Sequence, residues 1–521
     1  MSRIPAVTGA PAARPAARRS SDPQAAAPYL EALRAYAARE PARLHVPAHK
    51  GGTGADAGLV EALGAAALAL DVPSLIDGVD TAEDGSAPLQ QALELAAVAW
   101  GAQRTWFLTG GASQANHAAC LALRAGGGRV LMQRNVHSSA INAVTMFGLA
   151  PAFLAPELDP ELGIAHCVSP AVLAEALDEN PDAVAAMVVS PTYFGAVADV
   201  AGLAEAAHSR GVPLIVDEAW GSHLAFHPAL PEHALARGAD LVISSPHKTL
   251  GSLTGSAMLH LGREALIEES AVEGAVSLLA STSQSSLLLA SLDAARRQAV
   301  TQGRELLERA IEAMATIRSA VAGVPGLRVL DERRLVGRPG VHGFDPLRLT
   351  IDVRSTGLTG YELDRLVRRL DGVELEVIAE DLVVASFGMA EPVARHGARL
   401  VEALWAALGE RGGVLAQVEF RPAPPPLPGW GKLEMTPARA HSAPRQVVPI
   451  ERAVGRISGE ALAPYPPGIP LALPGERLTA EVVEHLVRAR AQGATIRGAS
   501  DPSLETLSVV DRRRSRGASP R

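Results

Sequence analysis

From about Pro28 to Gly409, apolar runs of strand length alternate with stretches of helical periodicity. RVLMQ (129–133), AVAAMVVS (183–190), VPLIVDE (212–218) and DLVISS (240–245) are continuously apolar rather than alternating. Such strands are covered on both faces, and helices between them imply parallel pairing. VAGLAEAAHSRG (200–211) has helical spacing and closes on a glycine suited to a C-cap. The pattern predicts an α/β doubly wound domain over 28–320, with binding sites beyond the carboxyl ends of its strands. After a long helical stretch at 287–322 the pattern changes. LRLTIDV (347–353), VELEVIAE (373–380) and DLVVASFG (381–388) flank the helical TGYELDRLVRRL (359–370). They predict a smaller α+β domain over 321–420 with a mostly antiparallel sheet. RPAPPPLPGWG (421–431) reads as a proline-rich linker, and 432–511 as a compact C-terminal domain.

Composition narrows the function classes. A net charge of −8 over 521 residues gives no basic footprint for nucleic acid or an anionic membrane surface. No apolar stretch reaches the length of a membrane span. The two cysteines, Cys120 and Cys167, make neither a disulfide framework nor a metal cluster, so no metal is expected and a reducing cytoplasm fits. Residues 1–27 and 512–521 read as disordered tails. Arg18-Arg19 is followed by no apolar h-region, which argues against an export signal. A basic nucleic-acid arm is the other reading of the terminal DRRRSRGASPR.

Chemistry gathers around Lys248. In DLVISSPHKTLGSLTGSAML (240–259) an apolar run ends in two serines, then His247-Lys248, then a loop of glycine and serine. Most lysines on turns are surface charges, whereas one held in a polar pocket can act as a base or a Schiff-base amine. Asp217, in VDEAWGSH (216–223), also falls at a strand end, where a structural carboxylate is the alternative. GGASQANHAACLAL (110–123) is a glycine turn opening onto a helix after TWFLT. Such a turn offers free N–H groups and a positive helix end to a phosphate, although tight turns also use glycine for shape alone. His137, in RNVHSS (134–139), follows the RVLMQ run and is otherwise a satisfied polar residue. A phosphate cradle, a carboxylate and a Schiff-base lysine are together what pyridoxal 5'-phosphate needs.

With these motifs in order, the chain resembles the fold-type-I Orn/Lys/Arg decarboxylases, in the short form without an N-terminal wing domain. The resemblance runs from about Leu44 to Val510. Besides the segments above it includes LHVPAHKGG (44–52), PTYFGAVADV (191–200), STSQSSLLLASLD (281–293), DPLRLTIDV (345–353) and PYPPGIPLALPGE (464–476). It implies a large domain with a mostly parallel seven-stranded sheet, a smaller α+β domain and a compact C-terminal domain. The implied activity is a lyase reaction of polyamine biosynthesis: pyridoxal-phosphate-dependent decarboxylation of arginine, lysine or ornithine to the amine and CO2. The implied assembly is a cytoplasmic homodimer or higher homo-oligomer.

The resemblance also assigns residues. Lys248 would form the Schiff base, with His247 beside it, and Asp217 would pair with the pyridine nitrogen. Ala219 would pack on the ring and His137 would stack over its other face. Ala112, Ser113 and Ser245 would hold the phosphate, and Thr282 and Ser283 would reach a phosphate across the dimer interface. Lys248 or His137 would return the proton to Cα. Three departures touch the substrate neighbourhood: Ala48 for a glycine, Ser138 for a lysine and Trp220 for a histidine. The substrate's distal cation needs a carboxylate. Asp80 and Asp84, in LDVPSLIDGVDTAEDGS (70–86), are candidates, with a solvated loop as the alternative. Arg348 could clamp the substrate's α-carboxylate in this chemistry, in an aminotransferase or in another lyase. A catalytically silent regulatory subunit is the remaining alternative, opposed by the intact Lys248 and Asp217.

Overall fold

The computed structural model describes residues 22–81, 87–124, 127–408, 427–465 and 469–511. Both terminal tails apart from residues 22–27, most of the proline-rich linker, and Asp84 lie outside the described residues.

The apolar runs become a seven-stranded sheet of β1 (Arg104–Leu108), β2 (Arg129–Gln133), β3 (Ala150–Leu154), β4 (Ala183–Val189), β5 (Leu214–Glu218), β6 (Leu241–Ser244) and β7 (Ala257–Leu261). Its order is β1-β7-β6-β5-β4-β2-β3, parallel from β6 to β3, with β7 antiparallel to β6 and β1. The lack of alternation in the sequence has its cause here. Leu131, Val188, Val216 and Val242 point to one core with the helices α3 (Pro170–Glu179) and α4 (Val200–His208). Val130, Met132, Ile215 and Ile243 point to the other, against α1 (Gly111–Leu123) and α2 (Ser138–Phe147). Each fully buried side chain of this kind contributes about 1.5–3 kcal/mol, so both faces stabilise the sheet. The chain steps outward from β2 to β3 and then returns to β4 on the other side of β2. The topological switch point therefore lies between β2 and β4, whose carboxyl ends lead to His137 and Tyr193.

The long helix forms as α6 (Ser286–Ala322), 37 residues, after the short α5 (Pro246–Thr249) that carries Lys248. It runs from the large sheet into the smaller unit and crosses α8 (Val393–Leu408) closely. A Cβ at Gly397 would sit 2.0 Å from Ile317, so a glycine is needed there. The smaller sheet has the order β10 (Val377–Ile378), β11 (Leu382–Ser386), β9 (Arg348–Asp352), β8 (Arg328–Leu330), all antiparallel, with α7 (Gly360–Asp371) against it. The strand expected over 373–380 is only two residues long. It is an edge strand with one neighbour, and its Glu374 and Glu376 face water. Helix α4 ends at His208, and the chain turns through Gly211 at φ 67°.

The C-terminal unit is built on two antiparallel ribbons. β12 (Arg445–Pro449) pairs with β15 (Thr506–Val510), and β13 (Ala463–Tyr465) pairs with β14 (Thr495–Arg497). Among the described residues, no helix is long and apolar enough to cross a membrane, and no group of three His, Cys, Asp or Glu could hold a metal.

Candidate active site

Asp217 is the penultimate residue of β5 and is buried. Its Oδ1 accepts from the Ala219 backbone N–H at 3.1 Å, and its Oδ2 from Asn116 Nδ2 at 3.2 Å. The same Asn116 amide lies 3.1 Å from Ser139 Oγ and 3.1 Å from the Ala112 carbonyl. Ser139 in turn meets His137 Nδ1, through Oγ at 2.7 Å and through its backbone N–H at 3.2 Å. A backbone N–H can only donate, so Nδ1 is an acceptor and the imidazole proton sits on Nε2. Burial pushes the His137 pKa down; Asp217 opposes that, while Lys248 and Arg497 reinforce it. The imidazole is thus held neutral in one tautomer.

Lys248 enters from the next strand, on a helical turn opened by Pro246 just beyond β6. Its Nζ stands 4.3 Å from the centroid of the Trp220 ring, and Arg348 Cζ stands 4.0 Å from the same centroid. Burial lowers the Lys248 pKa; Asp217 and Glu376 pull it up, and Arg348 pushes it further down. A lysine with that bias gives up its proton more readily than a solvated one. Arg348 is wholly buried and heavily engaged. It bonds Ser386 Oγ and, at 3.4 Å, the Trp220 carbonyl, and its Nε lies 3.7 Å from Asp345 Oδ2. His247 donates from Nδ1 to the Ser256 carbonyl at 2.6 Å, which fixes its tautomer too.

The cofactor fit can be tested on two features. The Ser245 hydroxyl, beside Lys248, is completely buried with no hydrogen-bond partner among the described residues. Helix α1 starts after Gly110 without a side-chain cap, leaving the first-turn amides at Ala112 and Ser113 to an external acceptor. An orphaned hydroxyl, an uncapped helix start, a buried carboxylate and a half-buried amine match the phosphate, ring and aldehyde of pyridoxal phosphate.

Hydrogen bonds and charge thus link Lys248, Asp217, His137, Ala219, Ala112 and Arg348, with Ser245 and His247 adjacent in the chain. Thr282 and Ser283 lie in an exposed loop before α6, open to a second molecule. Asp80 is held on the N-terminal segment, where it accepts from Tyr29 Oη at 3.0 Å and the Ile76 N–H at 3.3 Å. It is not among the groups whose charge acts on Lys248. Sequence reading missed Asn116, Ser139, Glu376 and Arg497. Asn116 had a signal, an amide inside an otherwise alanine-rich helix; Glu376 and Arg497 come from other units and had none.

The C-terminal unit is fastened to the His137 loop. Arg134 forms a bidentate pair with Glu476 at 2.5 and 2.8 Å, and donates from Nε to the Pro470 carbonyl at 3.0 Å. Both side chains are fully buried, and the guanidinium lies over the Phe153 and Trp430 rings at 4.7 and 5.0 Å.

Residues 27–337 match the Orn/Lys/Arg decarboxylase major domain, and residues 430–498 the Orn/Lys/Arg decarboxylase C-terminal domain. The chain is similar to the arginine decarboxylase of Bacillus subtilis (strain 168), 36% identical over 486 residues, 93% of this chain and 97% of that protein. The arginine decarboxylase of Halalkalibacterium halodurans is 36% identical over 487 residues, with the same two shares. The crystal structure of the Francisella novicida lysine decarboxylase LdcF has a TM-score of 0.77 at 20% identity, covering 93% of this chain and 81% of that one, a likeness of fold. The chain belongs to the Orn/Lys/Arg decarboxylase family.

Proposed function

We propose that this protein is a pyridoxal-phosphate-dependent decarboxylase that converts a basic L-amino acid to its amine and CO2. Arginine is the first substrate to test, since the 36%-identical relatives are named arginine decarboxylases. The observation that carries the reading is the meeting of buried Asp217 and half-buried Lys248 at neighbouring strand ends, within reach of each other's charge.

Lys248 would bond the cofactor's aldehyde, Asp217 would face its ring nitrogen, and Ala219 and His137 would pack on the ring. Ser245 with the amides at Ala112 and Ser113 would take its phosphate. Bound there, pyridoxal phosphate supplies an electron sink for the pair of electrons left when the Cα–carboxylate bond breaks. Asp217, its carboxylate oriented by two donors, would hold a proton on the ring nitrogen. The Asn116–Ser139–His137 chain keeps that carboxylate and the imidazole oriented without reorganisation during the reaction. Lys248, biased toward the neutral amine, can take a proton and return it to Cα in place of the departing CO2. His137 carries its N–H on Nε2, so it donates at that atom rather than abstracting.

The assembly belongs to the same proposal. Exposed Thr282 and Ser283 follow Leu278, 79% exposed, by a few residues, in a loop accessible to a second subunit. The reading is a homodimer in which that loop reaches the partner's phosphate. It is placed in the cytoplasm, where the two buried free cysteines stay reduced, and in polyamine biosynthesis. The domains are proposed as 28–320, 321–420 and 432–511, with the linker at 421–431.

The test is direct. Purified protein incubated separately with L-arginine, L-lysine and L-ornithine is assayed for CO2, amine and keto acid. Amine and CO2 in equal amounts support the reading, and a keto acid without CO2 replaces it with transamination. Lys248→Ala should abolish turnover and the label fixed by borohydride reduction. Equal labelling of that variant refutes the assignment of Lys248.

A further inference from the structure

Lys248 Nζ stands 4.3 Å from the centroid of the Trp220 ring, and among the described residues it makes no hydrogen bond and no ion pair. The same ring carries Arg348 Cζ at 4.0 Å. The two cations are held differently. Arg348 donates to Ser386 Oγ and to the Trp220 carbonyl, and its Nε lies 3.7 Å from Asp345 Oδ2, so it is fixed from three directions. Lys248 ends a flexible four-carbon stem and rests on the π-face.

The ring cannot follow the lysine. Trp220 is buried, and Tyr193 packs against it at 5.9 Å with the planes 66° apart. The chain beside it is pinned as well: the Gly221 N–H donates to the Glu218 carbonyl at 2.8 Å, and a Cβ at Gly221 would lie 2.5 Å from Glu218 Cγ and 2.9 Å from Pro191 Cδ. A fixed aromatic face attracts an ammonium through its quadrupole and a neutral amine far less. The charged form is held, and once the proton has gone no hydrogen bond occupies the lone pair. The ionisable groups acting on Lys248 are Asp217, Arg348 and Glu376, and its charge acts in turn on His137 and His247. Burial and Arg348 favour the neutral amine, whereas Asp217, Glu376 and the ring favour the ammonium. The balance lets a proton be both gained and lost.

We propose that Trp220 is a positioning residue for Lys248, whose ring seats the lysine as an ammonium and releases it as an amine. The inference rests on the decarboxylase reading above and deepens it. When Lys248 gives its proton to Cα, an N–H bond breaks, a C–H bond forms and the nitrogen is left neutral. The seat then has no charge to hold, and the lone pair is free to bond the cofactor's aldehyde carbon again. A hydrogen-bonding side chain at 220, such as the histidine of the family pattern, would engage the amine in both states.

The chain has three lysines, Lys50, Lys248 and Lys432, so each amine can be followed in its own peptide. Full-length protein stripped of cofactor is pulse-acetylated with acetic anhydride from about pH 6 to about pH 10, and Lys248 is read by mass spectrometry against exposed Lys432. The wild type is compared with Trp220→Leu, with Trp220→Phe, and with wild-type protein grown on 5-fluorotryptophan, which keeps the shape of the ring and weakens its quadrupole. Trp220→Leu should lower the pKa of Lys248 by about one pH unit, with the phenylalanine and fluorinated proteins shifted the same way by less. A Lys248 titration unchanged in Trp220→Leu overturns the proposal. So does a fluorinated protein that titrates like the wild type, because Trp220 then acts by packing alone; this comparison decides the matter even where Trp220→Leu does not fold. The titration needs no turnover, so its failure leaves the decarboxylase reading standing. A wild-type holoenzyme that releases no CO2 from L-arginine, L-lysine or L-ornithine overturns that reading and the release step with it, whatever the titration shows.

Discussion

Asn116 Nδ2 lies 3.2 Å from Asp217 Oδ2 and 3.1 Å from Ser139 Oγ, so one amide ties the carboxylate of β5 to the histidine loop after β2. Its own Oδ1 is buried without a partner among the described residues, which fixes the amide orientation by what the nitrogen does. The carboxylate that the proposed function sets against the ring nitrogen is therefore oriented in advance.

Replacing that donor should be felt at once. Asn116→Leu removes one charge-assisted hydrogen bond, worth about 1.5–3 kcal/mol, and should lower kcat and cofactor affinity by about tenfold or more. Asp217→Asn should cost several decades of kcat while some cofactor still binds. Absorbance titration with pyridoxal phosphate and steady-state rates separate the two effects. Normal kcat in Asn116→Leu would remove the amide from the mechanism.

The candidate residues were legible in the sequence because each lies at or just beyond the end of a strand that is apolar on both faces. Asp217 falls at the end of β5, Lys248 and His137 lie a few residues beyond β6 and β2, and a continuous apolar run announces where a strand stops. What it did not carry are contacts made by groups distant along the chain. Trp220 was visible as a departure from the family pattern, but its place beside the Lys248 and Arg348 cations depends on β5, β6 and β9 coming together. Glu376 stands just before a two-residue edge strand, in a segment whose pattern read as a longer strand. Arg497 depends on a ribbon turn at Gly498 that no local periodicity marks.

A buried trio away from the cofactor predicts how stability changes with pH. Burial pushes Glu218 up from 4.5 to about 8, although the Ala234 N–H opposes it. Burial pushes His233 down from 6.5 to about 4 and His260 down to about 3. Above about pH 6.5 only the carboxyl matters among the three: the folded chain keeps a proton that the unfolded chain has released, so stability falls as pH rises through about 8. Below about pH 6.5 the unfolded chain protonates two imidazoles that the fold keeps neutral, and they outweigh the one carboxyl, so stability falls with falling pH. The maximum lies near pH 6.5. Glu218→Gln should flatten the alkaline limb, which for one group is worth about 2 kcal/mol between about pH 6.5 and about pH 8. Thermal melting across that range, with the same alkaline slope in the variant, would assign the loss to other groups.

The clamp of Arg134 on Glu476 joins two units through charges that no water reaches. Removing one partner strands the other, at a cost of about 3–5 kcal/mol, whereas removing both and filling the space is close to neutral. Glu476→Ala should therefore unfold at lower urea and, because Arg134 belongs to the His137 loop, lose activity before it unfolds. The double variant Arg134→Met/Glu476→Leu should recover most of the stability but not the activity. If stability and activity return together, the pair holds the units together without positioning His137.

Within one chain Glu376 is a further candidate for the distal end of the substrate, beside Asp80, which is expected from the neighbouring subunit. Asp80 already accepts hydrogen bonds from Tyr29 and the Ile76 amide, so its oxygens are spent within the N-terminal segment. Glu376 is exposed, and its negative charge acts on both Lys248 and Arg348, so it lies within electrostatic reach of the site. A guanidinium or ammonium extending away from Lys248 toward that carboxylate would meet it. An exposed ion pair contributes up to about 1 kcal/mol, so Glu376→Gln should raise the KM of the basic amino acid by up to about fivefold, and that of its amine product equally, since both carry the distal cation. Asp80→Asn should instead lower thermal stability through Tyr29 and leave both constants in place. A KM that rises in Asp80→Asn and stays fixed in Glu376→Gln would return the distal carboxylate to the 71–84 segment, supplied across the subunit interface.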